Sequence, residues 1–104
     1  MKILATNWQD LENPHAGGAE LHLFELMQRL VGLRHQVHLV CSGWPGAAPR
    51  AVVHGVSVER HGGRHSFAAL GRGAVRAALG RESWDLALEA VSYTHLTLPT
   101  IYSV

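Results

Sequence analysis

The sequence has little of several features that would point to a particular class of protein. It contains one cysteine, Cys41, which excludes an internal disulfide and favours a reducing compartment. Its formal net charge of +1 gives no general electrostatic reason to expect nucleic acid as a partner. No apolar run approaches the roughly 20 residues that span a bilayer, and the opening run is too short for a signal peptide. These absences favour a small cytoplasmic domain.

The sequence also lacks the patterns of a dinucleotide site and of a metal site. The fingerprint G-x-G-x-x-G is absent, so nothing supports a nicotinamide-dependent enzyme. Eight histidines invite a metal interpretation. However, His35 and His38 straddle a predicted helix-to-strand turn, and a glycine loop separates His61 from His65. The pair His61 and His65 has no cysteine or paired carboxylates nearby, so we expect no metal cofactor.

Short apolar runs alternate with amphipathic segments along the chain. The short runs predict strands at 2–7, 37–41, 56–60 and 84–89, with a further short or imperfect strand around Val52. Apolar spacings of three and four predict one helix that begins near Gly18 and a second over 67–79, with Ser66 as its N-cap. This alternation predicts an α/β fold with a Rossmann-like parallel sheet and flanking helices.

The segment 14–20, Pro-His-Ala-Gly-Gly-Ala-Glu, joins the first predicted strand to the first predicted helix. Gly17 and Gly18 permit positive φ and close backbone approach because they lack a Cβ. The first N–H groups of a helix have no intrahelical partner and lie at the positive end of its dipole, which suits a phosphate. The residues leave open the alternative that these glycines only turn the chain tightly.

The order of motifs in residues 1–90 resembles the N-terminal domain of GT-B glycosyltransferases of the family-4 type. The matching stretches are 2–4, 14–20, 34–40, 55–58 and 84–89. The Gly-Gly-Ala-Glu loop is the most specific of them, and the others are generic to Rossmann-like domains. Relatives usually end the first helix with Arg-Gly-His, whereas this chain has Leu33-Arg34-His35 after a displaced Gly32, so the geometry of that helix end is open.

The resemblance implies a retaining glycosyltransferase that uses a nucleotide-sugar donor and no metal. This domain, incomplete at 1–90, would hold the acceptor, which is a glycan, a lipid or a small molecule. A second Rossmann-like domain, missing here, would bind the donor, so we expect the chain as given to be inactive. Gly17, Gly18 and the Ala19 N–H would contact the donor diphosphate. The alternative is a non-catalytic α/β module that binds phosphate or a nucleotide.

Further candidate residues lie where the sheet edge is expected to bind ligands. His15, Glu20 and Asn7 are candidates for acceptor binding, and Glu89 is the candidate catalytic base or acceptor ligand. Each has a simpler alternative: solvation for His15, and complementarity to the helix dipole for Glu20. The middle of the chain is basic, which predicts a solvated helix face or contact with anionic lipid at the cytoplasmic membrane face. The arginines concerned are Arg60, Arg64, Arg72, Arg76 and Arg81.

The segment 91–104 resembles translated adapter DNA more than a protein motif. Residues 91–100 read Val-Ser-Tyr-Thr-His-Leu-Thr-Leu-Pro-Thr, which one reading frame of a transposase-type sequencing adapter encodes. We therefore predict that the natural part of this chain ends near Ala90, at a point in the middle of the gene. The alternative is a real terminal hairpin strand with Pro99 at a bend.

Resequencing of the source DNA past the codon for Ala90 tests the adapter origin. We expect the adapter bases to disappear and the frame to continue into a second α/β domain that carries paired glutamates. A natural frame that closes near Val104 would contradict the adapter origin and favour the small binding module.

Overall fold

A six-stranded sheet forms the centre of the computed structural model, which describes residues 1–63, 66–89 and 101–103. The strand order is β3-β4-β2-β1-β5-β6. This architecture confirms the predicted α/β fold. The elements are β1 (Lys2–Thr6), α1 (Gly18–Gly32), β2 (Gln36–Cys41), β3 (Arg50–Val53), β4 (Val56–Arg60), α2 (Phe67–Arg81), β5 (Leu86–Glu89) and β6 (Ile101–Ser103).

The sheet is parallel except at one edge. β3 pairs antiparallel with β4, whereas the other neighbouring strands run parallel. Only His54 and Gly55 connect β3 to β4, and both have positive φ, at 51° and 82°. A two-residue turn of this kind joins antiparallel strands, because a parallel connection needs a crossover of a dozen or more residues. The sheet therefore differs at this edge from the uniformly parallel sheet that the alternation predicts.

The two helices cover opposite faces of the sheet. Successive side chains of a strand point to opposite faces, so each strand contributes to two apolar layers. One layer packs against α1 and the other against α2. Buried members of the α1 layer are Ile3, Leu39, Val58, Phe24 and Met27, and those of the α2 layer are Leu4, Val40, Phe67, Val75 and Ala78.

The parallel strands all have their carboxyl ends on the same side of the sheet. We call this side the carboxyl rim. Thr6 at the end of β1 pairs with Val40 on one side and with Glu89 on the other. Loops leave this rim after β1 (the β1 loop, 7–17), after β2 (the β2 loop, 42–49) and after β4 (the β4 loop, from 61). The glycine pair and Glu89 both lie on this rim, as the sequence predicts.

The structure bears on two further features, the C-terminal segment and the possibility of a membrane-spanning helix. Most of the predicted adapter segment lies outside the described residues, including Pro99. Residues 101–103 form β6, which runs parallel to β5 and so makes no β5–β6 hairpin. Of the helices in the described residues, none has the length and apolar character that a membrane span requires.

The end of α1 has a left-handed residue that is not glycine. Arg34 has φ 69°. Its N–H donates to Val31 O at 2.9 Å, and the His35 N–H donates to Leu30 O at 3.1 Å. This pair of bonds is the Schellman motif, which usually has glycine at the position of Arg34. The helix end is therefore standard in geometry, although an arginine occupies its strained position.

Replacement of Arg34 by glycine is expected to raise the free energy of unfolding by about 1 kcal/mol, because glycine has no Cβ to clash in the left-handed region. Arg29→Gly, one turn earlier in α1, is the control and should lower that free energy by about 1 kcal/mol. Urea denaturation followed by circular dichroism measures both. Destabilisation by Arg34→Gly would show that its side chain contributes more than its φ costs.

Candidate functional site

A buried ion pair joins the end of β4 to the β1 loop. Arg60 Nη2 donates to Asp10 Oδ2 at 2.7 Å, and Arg60 Nε donates to Asp10 Oδ1 at 3.3 Å. The Asp10 side chain is fully buried and that of Arg60 is 4% exposed. Two parallel N–H···O bonds of this kind fix both distance and orientation. The hydrogen bond to Asp10 also raises the pKa of Arg60, which is already a permanent cation.

Arg60 contacts more of the carboxyl rim than this one carboxylate. Its Nη2 lies 2.8 Å from Glu12 Oε1, and its Nη1 donates to Ala48 O at 3.1 Å. Its guanidinium carbon lies 4.5 Å from the centroid of the Trp44 ring. One side chain therefore ties β4 to both the β1 loop and the β2 loop. The prediction that Arg60 belongs to a solvated or lipid-facing basic surface is wrong, because two carboxylates surround it.

Cys41 lies beside this ion pair and is fully buried. Its Sγ is 3.9 Å from Asp10 Oδ1. Burial, with the Asp10 carboxylate as a second cause, raises the pKa of the Cys41 thiol. The thiol therefore stays protonated, and a protonated thiol is a poor nucleophile.

A small pocket, which we call the rim pocket, opens where the β1, β2 and β4 loops meet. Its volume is about 100 Å³. His15, a candidate acceptor ligand from the sequence, is one of its lining residues, and the structure brings it together with two other loops. The lining residues are Gln9, Asn13, His15, Ser42, Gly43, Trp44, Pro45 and Gly63.

His15 and Asn7, both proposed from sequence as acceptor ligands, lie in different environments. His15 is exposed, and its N–H donates to Asn13 Oδ1 at 2.8 Å, a local turn that fixes the β1 loop. Asn7 is 6% exposed, and its Nδ2 donates to Gln9 O at 2.8 Å. His15 therefore lines the rim pocket, whereas Asn7 is buried and stabilises the β1 loop through its hydrogen bond to Gln9.

The glycine pair at the start of α1 does not use the conformational freedom of glycine. Gly17 has extended backbone, with φ −131° and ψ −161°. Neither Gly17 nor Gly18 is among the residues with positive φ. A Cβ built at either position would meet no atom within 4 Å. The alternative that these glycines serve a tight turn therefore loses its basis, and open space remains at the start of α1.

Glu20 connects this helix start to the rim pocket. Its Oε1 accepts a hydrogen bond from the Gly17 N–H at 3.0 Å, the carboxylate half of a capping box. In the amide orientation that satisfies its neighbours, Gln9 Nε2 donates to Glu20 Oε1 at 3.1 Å and to His15 O at 3.0 Å. Glu20 thus complements the helix dipole and also restrains the β1 loop. Sugar binding by Glu20 stays a prediction.

The order of the strands reverses across β1, because β2 flanks it on one side and β5 on the other. Ligands of open α/β sheets bind at such a switch point. Thr6 and Glu89 end the two adjacent strands there and are partners in register. Thr6 is 2% exposed, and its Oγ1 has no hydrogen-bond partner among the described residues. Sequence reasoning missed Thr6, although a polar residue that ends an apolar strand was the available signal.

A second charged cluster lies on the α2 side of the sheet. The buried Glu59 carboxylate contacts His38 Nε2 at 3.1 Å, His61 Nε2 on its other oxygen, and Arg81 Nη2 at 3.6 Å. Burial raises the pKa of Glu59, but the hydrogen bonds from His61 and His38 outweigh it and hold that pKa below its ordinary value. His35 lies apart from His38, since its Nδ1 contacts the N-terminal ammonium at 2.8 Å. No metal-binding group of three or more His, Cys, Asp or Glu was found in the described ranges.

Removal of the buried cation should be far more damaging than removal of its exposed counterpart. Arg60→Met is expected to lower the free energy of unfolding by about 3–5 kcal/mol, because Asp10 would stay buried without a counter-charge. Lys2 is the matched control: it pairs with Glu82 at 2.8 Å and lies 5.2 Å from the Trp84 ring, but this pair is exposed. Lys2→Met should therefore cost only about 0–1 kcal/mol. Chemical denaturation of both variants measures the two losses in the free energy of unfolding. Equal losses would contradict the role of burial.

The sequence of the chain matches a known protein family. The family model that matches the chain is Glycosyltransferase Family 4, over residues 16–102, which includes the glycine pair and α1. No curated protein and no solved structure showed a significant match. The match runs past Ala90 into the segment of predicted adapter origin, and that origin stays a prediction. Because the match covers most of the 104 residues, the chain belongs to the glycosyltransferase family 4 group of domains.

Proposed function

We propose that this chain is the acceptor-side domain of a glycosyltransferase that uses a nucleotide-sugar donor. Family membership supports glycosyl transfer in general. The retaining outcome rests on the family resemblance alone. A second Rossmann-like domain of the same protein would hold the nucleotide, so the 104-residue chain would not transfer sugar by itself. The full-length protein would act in the cytoplasm.

The observation that carries the proposal is the open space at the start of α1. Glycine at positions 17 and 18 is required neither by backbone conformation nor by contacts with the described residues. The space that a Cβ would fill is therefore available to a ligand next to the N–H groups of Gly18 and Ala19. A diphosphate suits that position, because these N–H groups lie at the positive end of the helix dipole.

The same position suits the chemistry of glycosyl transfer without a metal. The departing nucleoside diphosphate gains negative charge as the bond to the sugar breaks. Fixed N–H donors that face this charge stabilise the transition state more than the ground state. Gly17, Gly18 and Ala19 would thus bind the diphosphate.

The acceptor would lie along the carboxyl rim, between the rim pocket and the end of β5. His15 lines the pocket, and Glu20 lies one hydrogen bond away from it through Gln9. Asn7 would act through the loop that it supports. Glu89 would serve as the catalytic base or as an acceptor ligand, since its strand end adjoins β1 at the switch point. A lipid-linked acceptor would bring the exposed Arg76 of α2 near an anionic membrane surface.

Gly18→Ala should separate ligand binding from folding. Gly18 and Gly73 both lie in helices, and a Cβ at either meets no atom within 4 Å, so Gly73→Ala is the matched control. Both changes should preserve or raise stability, by up to about 1 kcal/mol. Only Gly18→Ala should weaken binding of inorganic pyrophosphate, by about tenfold, or 1.4 kcal/mol.

The measurement is a titration of ¹⁵N-labelled chain with pyrophosphate, read from the amide shifts of residues 17–19. Equal affinity in the two variants, or no shift at 17–19 in the unsubstituted chain, would contradict the proposed diphosphate site. Pyrophosphate binding without any transfer or hydrolysis of nucleotide sugars by the full-length protein would favour the non-catalytic binding module.

A further inference from the structure

We propose that the rim pocket binds an uncharged, hydroxylated group, in the form of one edge of a sugar ring. The inference rests on the proposed function only in treating this group as part of the acceptor. Its physical basis is the chemistry of the pocket lining, which the family match does not specify. It also sets this pocket apart from the diphosphate position at the start of α1.

The described residues of the pocket lining carry no formal charge. Its side chains come from amides, a hydroxyl, a histidine, an indole and a proline, and none of its eight residues is Lys, Arg, Asp or Glu. An anionic ligand such as a phosphate or carboxylate would lose hydration there without gaining a counter-charge, which is strongly unfavourable. The described part of the lining therefore offers an anion no counter-charge.

Among the described residues, a cation that borders this lining is already neutralised. Arg60 lies 4.5 Å from the Trp44 ring centroid, so it borders the pocket wall. Its guanidinium is held by Asp10 at 2.7 Å and by Glu12 at 2.8 Å. Recruitment of Arg60 to an anionic ligand would leave the fully buried Asp10 unpaired, at a cost of several kcal/mol. Arg60 therefore does not act as an anion ligand here.

The polar lining residues keep both donors and acceptors for a ligand. Asn13 uses its Oδ1 for the His15 N–H, which leaves its amide N–H groups as donors. Gln9 uses its nitrogen for His15 O and Glu20, which leaves its carbonyl oxygen as an acceptor. A hydroxyl group is the simplest ligand that donates and accepts at once. Trp44 adds an apolar ring of the kind that packs against the C–H face of a sugar.

The size of the pocket limits how much of the ligand it holds. Its volume of about 100 Å³ lies well below the roughly 300–1,000 Å³ typical of sites that enclose a drug-sized molecule. It therefore takes part of one ring, while the rest of the acceptor extends along the carboxyl rim.

The test uses the ¹⁵N-labelled 104-residue chain and paired ligands. Neutral methyl hexopyranosides of the gluco, manno and galacto series are titrated beside the 6-phosphate of each hexose. We expect at least one neutral glycoside to shift the Trp44 indole N–H and the Gly43 and Gly63 amides. Its 6-phosphate should bind at least about tenfold more weakly, because the lining offers no counter-charge. A phosphate that binds equally or more tightly, or a lack of shifts with every neutral glycoside, would overturn the inference.

Variants locate the response. Trp44→Leu should abolish the shifts and Trp44→Phe should retain them, because the aromatic ring is what contacts the sugar. Trp84→Leu is the matched control, since Trp84 is also half-buried beneath a cation but lies before β5, at the opposite end of the sheet. A response that follows Trp84 instead would overturn the inference. His15→Ala, at an exposed position, tests the pocket again should Trp44→Leu unfold.

Pyrophosphate titration of the same samples separates the two proposals. Shifts at residues 17–19 without any glycoside response would leave the diphosphate site standing and refute the uncharged pocket. A glycoside response at Trp44 without shifts at 17–19 would do the reverse.

Discussion

The carboxyl rim of this domain depends on the buried pair of Arg60 and Asp10. Neither charge would be tolerable in the interior alone, and each makes burial of the other acceptable. Because Arg60 ends β4 and Asp10 lies in the β1 loop, their geometry decides how that loop returns across the sheet. The β2 loop joins through Ala48 and Trp44. A pair of this kind contributes less to net stability than to the choice of one loop arrangement, and that arrangement forms the rim pocket.

Local sequence patterns predicted most of the fold. The apolar spacing of α1 and the short runs of β2 and β4 correspond closely to the observed elements, because each pattern reflects burial against a neighbouring layer. The direction of β3 escaped prediction for a different reason. It follows from positive φ at both His54 and Gly55, and histidine gives only a weak signal for that conformation.

The candidate site was predictable only where it is local. The helix start, the glycine pair and the Glu20 cap all lie within a few residues, so their arrangement follows from the sequence. Arg60 and Asp10 are 50 residues apart, and nothing near Arg60 in the sequence distinguishes it from the exposed Arg76 and Arg81. Trp44 belongs to the pocket only because three separate loops converge. Contacts at such separations depend on the tertiary fold, which composition and spacing do not reveal.

Because the Arg60 guanidinium bonds to two loops at once, it affects how the carboxyl rim would bind a ligand. Loop ordering normally costs conformational entropy at the moment of binding. Here that entropy is already lost during folding, because Arg60 fixes the β1 and β2 loops together with the end of β4. These two loops of the rim are therefore preorganised. The free energy gained from contacts with a ligand would raise affinity, because little of it would offset the cost of ordering the loops.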